Sequence, residues 1–286
     1  MAANRVLLHA PAELTAGRLI RLGEGIGKVV YASEHWVVKR PRNSSEVVAL
    51  IILWKCVRAI EGFLPGKSAR RFMESPGRHL RLLSVIIQGV MRIIPRKVWL
   101  SDHVKDVWRI YRSRDRRGER LARLHLEGTD LVPEVIEFPA IRVDIGGWTG
   151  HLEVNEATAR VEATLHDYLG KLTRQGNFEE ARIWLERFLN LRQSGWEKGV
   201  FSLDAHLKNF GVAGDRIVLL DSGGLTDRWH EVHERLVFEE VVVQPHVQLG
   251  LADVLAPCPA IAAEFDANWK EIVNRESVRN IWPHAV

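Results

Sequence analysis

The run Asp204-Ala205-His206-Leu207-Lys208-Asn209, followed twelve residues later by Asp221-Ser222-Gly223, holds the residue types that phosphoryl transfer demands. Moving a phosphoryl group to a hydroxyl needs a carboxylate that orients or deprotonates the attacking oxygen. It also needs hard oxygen ligands that hold Mg²⁺ against nucleotide phosphates. An Asp five residues ahead of an Asn, in a loop between strands, supplies the first group and one metal ligand. An Asp at the end of the next hairpin supplies the second ligand. Singly, Asp204 and Asn209 would close a turn and Asp221 would cap a helix; the joint spacing between apolar runs points to chemistry.

A second set lies near the N-terminus, in Leu22-Gly23-Glu24-Gly25-Ile26-Gly27-Lys28-Val29-Val30-Tyr31 and then Val37-Val38-Lys39. Glycines let a hairpin backbone approach phosphates closely, and a lysine on the next strand reaches the α- and β-phosphates. A glycine turn with a solvated lysine is ordinary alone. Here it precedes the Asp/Asn/Asp set in the order a kinase requires.

The elements that would position these residues follow from the apolar pattern. Residues 18–40 read as strands around the glycine turn and a polar turn at Ser33-Glu34-His35. From Asn43 to Leu126 the period is helical, broken at 62–66, 75–77 and Pro95. Short strands with glycine turns are expected from Val132 to Val154. An amphipathic helix carries Ala181, Trp184, Leu185, Phe188 and Leu191 on one face. Strands at 200–203, 210–212 and 217–220 follow, the last two joined at Ala213-Gly214-Asp215, and the last sixty or so residues read as helical. Strands first and helices later predict an α+β chain of two lobes, 1–154 and 155–286.

These motifs resemble the protein-kinase-like superfamily: a glycine-rich hairpin, Val-Val-Lys39, Asp204-x-His206-x-x-Asn209, and Asp221-Ser-Gly in place of Asp-Phe-Gly. The match spans roughly residues 18–225, with a long unmatched insert. His206 is unlike eukaryotic protein kinases, where lysine is usual, and is similar to aminoglycoside-type and other small-molecule phosphotransferases. With Leu165-His166-Asp167-Tyr168-Leu169, the chain looks most like bacterial PhoP-regulatory-network (YrbL-type) proteins and, at a greater distance, lipopolysaccharide-core kinases.

The resemblance implies a bacterial, ATP- and Mg²⁺-dependent kinase with a β-rich N-lobe, a helical insert and a reduced helical C-lobe. Asp204 would be the catalytic base, Asn209 and Asp221 the Mg²⁺ ligands, and Lys39 the phosphate anchor. Gly23, Gly25 and Gly27 would cover the phosphates, in a loop one residue shorter than Gly-x-Gly-x-x-Gly. Two acids compete for Lys39. Glu46 opens an apolar helix; Glu119, in Arg117-Gly-Glu119-Arg-Leu121-Ala-Arg-Leu124 ahead of Val132-Pro133, resembles the partner helix of small-molecule kinases and is preferred. His151 to Glu156 would be the inter-lobe hinge, with Glu153 and Val154 at the adenine. No Ala-Pro-Glu motif follows Asp221, so a small-molecule, glycan or lipid-linked hydroxyl acceptor is expected over a protein. The alternatives are a pseudokinase or nucleotide-binding regulatory module, a protein kinase, and an enzyme that transfers AMP.

Charge narrows the partner. The 286 residues carry +4, but 62–126 hold sixteen Lys/Arg against five Asp/Glu, net +11, and the rest 24 against 31, net −7. A local cationic segment argues for an anionic partner. Within the insert, about 42–118, Arg70, Arg71, Arg78 and Arg81 precede an apolar run at 82–94; Arg109, Arg112, Arg114, Arg116 and Arg117 follow, with Trp99 and Trp108. This reads as a membrane-surface helix pair facing anionic lipid, as a phosphosugar or nucleic-acid contact, or as a solvated cap on the N-lobe. Nucleic acid ranks last, since no binding motif accompanies the charge. His230, Glu231, His233 and Glu234 form a polar helix face in preference to a metal site. Two distant cysteines, Cys56 and Cys258, no ordered signal-peptide features, and apolar runs short of the ~18 residues of a spanning helix predict a cytoplasmic, at most membrane-apposed protein.

Overall fold

The computed structural model describes residues 5–24, 27–43, 46–47, 102–146 and 150–283. Gly25 and most of the insert, including Arg70, Arg71, Arg78, Arg81 and the apolar run at 82–94, lie outside the described residues, whereas Arg109 to Arg117 fall on a described helix. The chain is α+β. Its first part runs β1 (Arg5–Val6), β2 (Ile20–Glu24), β3 (Lys28–Ala32), β4 (Trp36–Pro41), α1 (Asp102–Leu121), β5 (Val135–Asp144) and β6 (His151–Ala159). These strands form a six-stranded sheet ordered β1-β5-β6-β4-β3-β2.

The hairpin register decides where the lysines go. In β3, Val29 and Tyr31 are buried while Lys28 and Val30 are half-buried, the period of two expected of a strand with one apolar face. Val30 pairs with Lys39 across β3 and β4. Cross-strand partners share a face, so Lys28 and Lys39 both stand on the side opposite Val29 and Tyr31. That buried side packs on Leu14, Leu19, Ile136, Phe138, Val143 and Val154, one of two hydrophobic cores.

The second part is mostly helical: β7 (Ala163–Thr164), α2 (Leu165–Arg174), α3 (Phe178–Glu197), β8 (Phe201–Ser202), β9 (Phe210–Ala213), β10 (Arg216–Leu219), β11 (Leu225–Thr226), α4 (Trp229–Val241), α5 (Pro245–Gln248), α6 (Ala252–Leu255), α7 (Pro259–Ile272) and α8 (Arg275–Ile281). Helix α3 buries Ala181, Trp184, Leu185 and Phe188 as its pattern predicts, with Leu191 at the margin. Phe188 meets Phe210 edge-on at 4.9 Å, which seats the β9–β10 hairpin on the helix.

Two features depart from the sequence reading. The short strands expected over 132–154 are two long ones of ten and nine residues. Pro139, which has no N–H to donate, falls where their register shifts between Glu137 and Ile141. Secondly, Leu121 and the π-turn residue Leu126 belong to the helical core rather than to the sheet's own. Helix α1 follows β4 in the chain but is bolted to the second part. No described helix is long and apolar enough to cross a membrane.

Candidate active site

The Asp204 and Asp221 loops are held together by main-chain bonds. Strands β8 and β11 pair antiparallel, Leu225 opposite Ser202, and the Leu203 amide donates to the Gly224 carbonyl at 2.8 Å. On the other side, the Asn209 carbonyl accepts from the Leu220 and Asp221 amides at 2.8 and 3.3 Å. The Asn209 side-chain amide and the Ser202 hydroxyl both donate to the Asp204 carbonyl, at 3.3 and 2.9 Å. Asp204, Asn209 and Asp221 are therefore brought together as expected. Gly224 has no side chain because a Cβ there would lie 3.1 Å from the Asp204 amide nitrogen. His206 accepts from the Lys208 amide at 3.3 Å through Nδ1 and so caps the short turn Leu207–Asn209.

Beneath the loop lies a cation that the sequence reading did not single out. Arg192 of α3, 5% exposed, donates to the Ser202 carbonyl at 3.2 Å and lies under the rings of Phe201, Trp196 and Trp269 at 4.9, 5.5 and 5.8 Å. Burial lowers its pKa to about 10, so it remains charged at neutral pH.

Two lysines reach the loops from the sheet. Lys39 donates to the Leu220 carbonyl at 2.8 Å. Lys39 is exposed, yet desolvation where its ammonium meets the loop, then the nearby Lys28 charge, lowers its pKa. Lys28 lies 2.9 Å from Asp115 Oδ1, 3.1 Å from Glu119 Oε1 and 3.6 Å from Asp221 Oδ1. Burial opposes its charge, but Asp221, Glu119 and Asp115 outweigh it and raise the pKa.

The expected partner of Lys39 is thus corrected. Glu119 binds Lys28, and Glu46 holds Arg40 in a bidentate pair at 2.6 and 3.0 Å. The reason is geometric: Asp115 and Glu119 lie one turn apart on α1, and Lys28 sits between that face and Asp221. That i, i+4 acidic pair is the signal that could have found Lys28.

Helix α1 owes its place to contacts with the segment after Asp221. At Gly118, in the last turn of α1, a Cβ would stand 1.8 Å from the Ser222 carbonyl oxygen, so only glycine allows the approach. Its neighbour Arg117 makes a bidentate pair with Glu231 of α4, one arm at 2.9 Å, and also donates to the Thr226 hydroxyl at 3.3 Å. Thr226, fully buried, donates to Glu231 at 2.5 Å. Against the upward push of burial, Arg117 and Thr226 hold the Glu231 carboxyl down at about 2. Part of the basic segment is therefore spent internally; Arg123 likewise pairs with Glu156 at 2.5 Å.

Other expected positions fall elsewhere. Glu153 and Val154 lie inside β6, paired with Arg142 and Ile141, and Val154 is in the sheet core. Because Ala159 still pairs with Trp36, the strand continues past the expected hinge. The chain crosses at 160–162, where the Arg160 amide donates to the His35 carbonyl and the Glu162 amide to the Val212 carbonyl, at 2.7 and 2.9 Å. Gly23 lies inside β2, opposite Val30 and just past a shift of register, and Gly27 immediately precedes β3.

The donor set suits a divalent cation. Asp221 Oδ1 is engaged by the Gly223 amide at 3.0 Å and faces Lys28, which leaves Oδ2, with the Asn209 amide oxygen, as hard donors on residues tied together by their main chains. No protein-family model and no curated protein matches the chain.

Proposed function

We propose that the protein is an ATP- and Mg²⁺-dependent phosphotransferase of protein-kinase-like, two-lobed architecture, acting on the hydroxyl of a small-molecule, glycan or lipid-linked acceptor. The observation that carries this reading is the Asn209 bracket. One residue ties the amide of Asp221 through its carbonyl and the carbonyl of Asp204 through its side chain. A carboxylate for the hydroxyl and two oxygen donors for a metal are thereby fixed together, with two ammonium groups arriving from a glycine-turn hairpin.

In this reading Asp204 orients the acceptor hydroxyl and takes its proton as the oxygen attacks the γ-phosphorus. The bond to the β-phosphate oxygen breaks and ADP leaves. Asn209 and Asp221 would hold the magnesium ion, which supplies charge neutralisation at the phosphates. Lys39, anchored to the carbonyl next to Asp221, stands where it can transfer its bond to a phosphate oxygen. An acceptor of anionic character fits the +11 segment.

A second reading, a nucleotide-binding regulatory module without turnover, is favoured by one observation. The lysine–glutamate pair that active kinases require involves Lys28 here instead of Lys39. Intact mass of the full chain and of a panel of sugar, glycan and lipid-linked alcohols after incubation with Mg·ATP separates the two. A gain of one phosphoryl group on an acceptor, absent with Asp204→Ala, supports the phosphotransferase. A gain of AMP transfers the site to nucleotidyl chemistry, and bound but unchanged ATP supports the regulatory module.

A further inference from the structure

Lys28 has no role in the chemistry above, yet it is the most heavily engaged cation of the site. Its side chain is 14% exposed, and three carboxylates from two elements, Asp115, Glu119 and Asp221, meet within 3.6 Å of its ammonium. Two come from α1, whose position is fixed independently by the Gly118 approach to Ser222 and by the Arg117–Glu231 pair. The acidic pocket is thus rigid on both sides, and the lysine is delivered to it from the hairpin.

Asp221 is divided between two tasks. Its Oδ1 faces Lys28 and accepts from the Gly223 amide, so this oxygen is shared between a backbone dipole and an ammonium. Its Oδ2 has no part in these two contacts and, with the Asn209 amide oxygen, would be the oxygen to hold a metal. A phosphotransfer site commonly neutralises its phosphates with two divalent ions that share one aspartate. Here the second place at Asp221 is filled by an ammonium. A divalent ion entering it would be pressed against that charge, and the energy between like charges at such a separation is large in a partly buried setting.

We infer that Lys28 takes the place of a second divalent cation at Asp221, so that the site loads a single metal ion. The assignment rests on the phosphotransferase reading, because it concerns how that site is charged. It makes Lys28 a positioning residue that sets the metal count through Asp221, itself held in place by Asp115 and Glu119.

The test counts metal ions. The full chain, saturated with a non-hydrolysable ATP analogue, is titrated with Mn²⁺ and free Mn²⁺ is read by electron paramagnetic resonance. Wild type is expected to bind one Mn²⁺ per chain and Lys28→Met two, the vacated carboxylates now holding the extra ion. Lys28→Arg, which keeps the charge, returns to one. Should Lys28→Met fold poorly, its melting temperature with analogue bound is compared with and without Mn²⁺; a Mn²⁺-dependent rise larger than in wild type carries the same information. Two ions in wild type, or one in Lys28→Met with no larger rise, overturns the assignment while leaving the phosphotransferase reading intact. Failure of the analogue to bind wild type, seen first and separately by calorimetry, removes both.

Discussion

The loops that carry Asp204, Asn209 and Asp221 are fixed by main-chain hydrogen bonds and glycine close approaches, whereas the hairpin that carries Lys28 and Lys39 reaches them through two side chains. The acidic half is built into the packing of the helical core. Arg192 supports it from below and helix α1 closes it from the side. The cationic half belongs to a sheet with its own core, and lysine stems are long and adaptable. A rigid acidic half and a compliant cationic half suit a ligand that must enter and leave: the expensive geometry is prepared in advance, and the adjustable charges close on it.

Substitutions on the two halves should therefore behave differently. Asp204→Asn keeps the main-chain bracket, since Asn209 and Ser202 bond the carbonyl of residue 204 and not its carboxylate. Stability should be unchanged and turnover reduced by about 10²–10⁴-fold, the usual worth of a general base, by coupled ADP assay. A large drop in melting temperature would break the claim that this half is held by backbone. Gly118→Ala attacks the contact that seats α1 on the segment after Asp221. Its methyl group meets the Ser222 carbonyl, and overpacking of this kind costs about 1–3 kcal/mol, read from urea midpoints.

Arg117→Met should lower stability at pH 7 by about 1.5–3 kcal/mol, the value of hydrogen bonds to a charged group. Its pH dependence follows from Glu231. The folded value of about 2 lies below the ordinary 4.5, so the pair's contribution is fully present above pH 4.5 and is lost as pH falls towards 2. The gap between wild type and Arg117→Met should close over that window in acid urea titrations; a gap independent of pH would show that the pair does not hold α1. The smallest effect is expected on the hairpin. A Cβ at Gly23 meets nothing within 4 Å, and Gly23→Ala should stay within about 0.5 kcal/mol of wild type. Any loss in that variant should appear as weaker nucleotide binding.

What the sequence disclosed and what it hid divide along the same line. Asp204, Asn209 and Asp221 lie within eighteen residues and are joined by short strands, so their convergence is written in local spacing. The β2–β4 strands and the face of α3 are equally local. Lys28 and Glu119 are separated by 91 residues, with a long insert between them, and nothing near Lys28 announces its partners. The end of β6 was hidden for a similar reason. It is set by pairing of Ala159 with Trp36, a contact across the chain, while the glycines before His151 marked only its start. Gly118 gave a usable hint: a glycine inside a helix costs roughly 1 kcal/mol against alanine, which calls for a close approach to explain it.

The central claim is that Asp204, Asn209 and Asp221 form one prebuilt metal–nucleotide site, and calorimetric titration of the full chain with ATP, in Mg²⁺ and in chelator, addresses it most directly. Mg²⁺ should tighten binding to wild type and to Asp204→Asn by about tenfold or more, and should do nothing for Asp221→Asn. Equal Mg²⁺ dependence in wild type and Asp221→Asn, or no nucleotide binding by wild type, would contradict it.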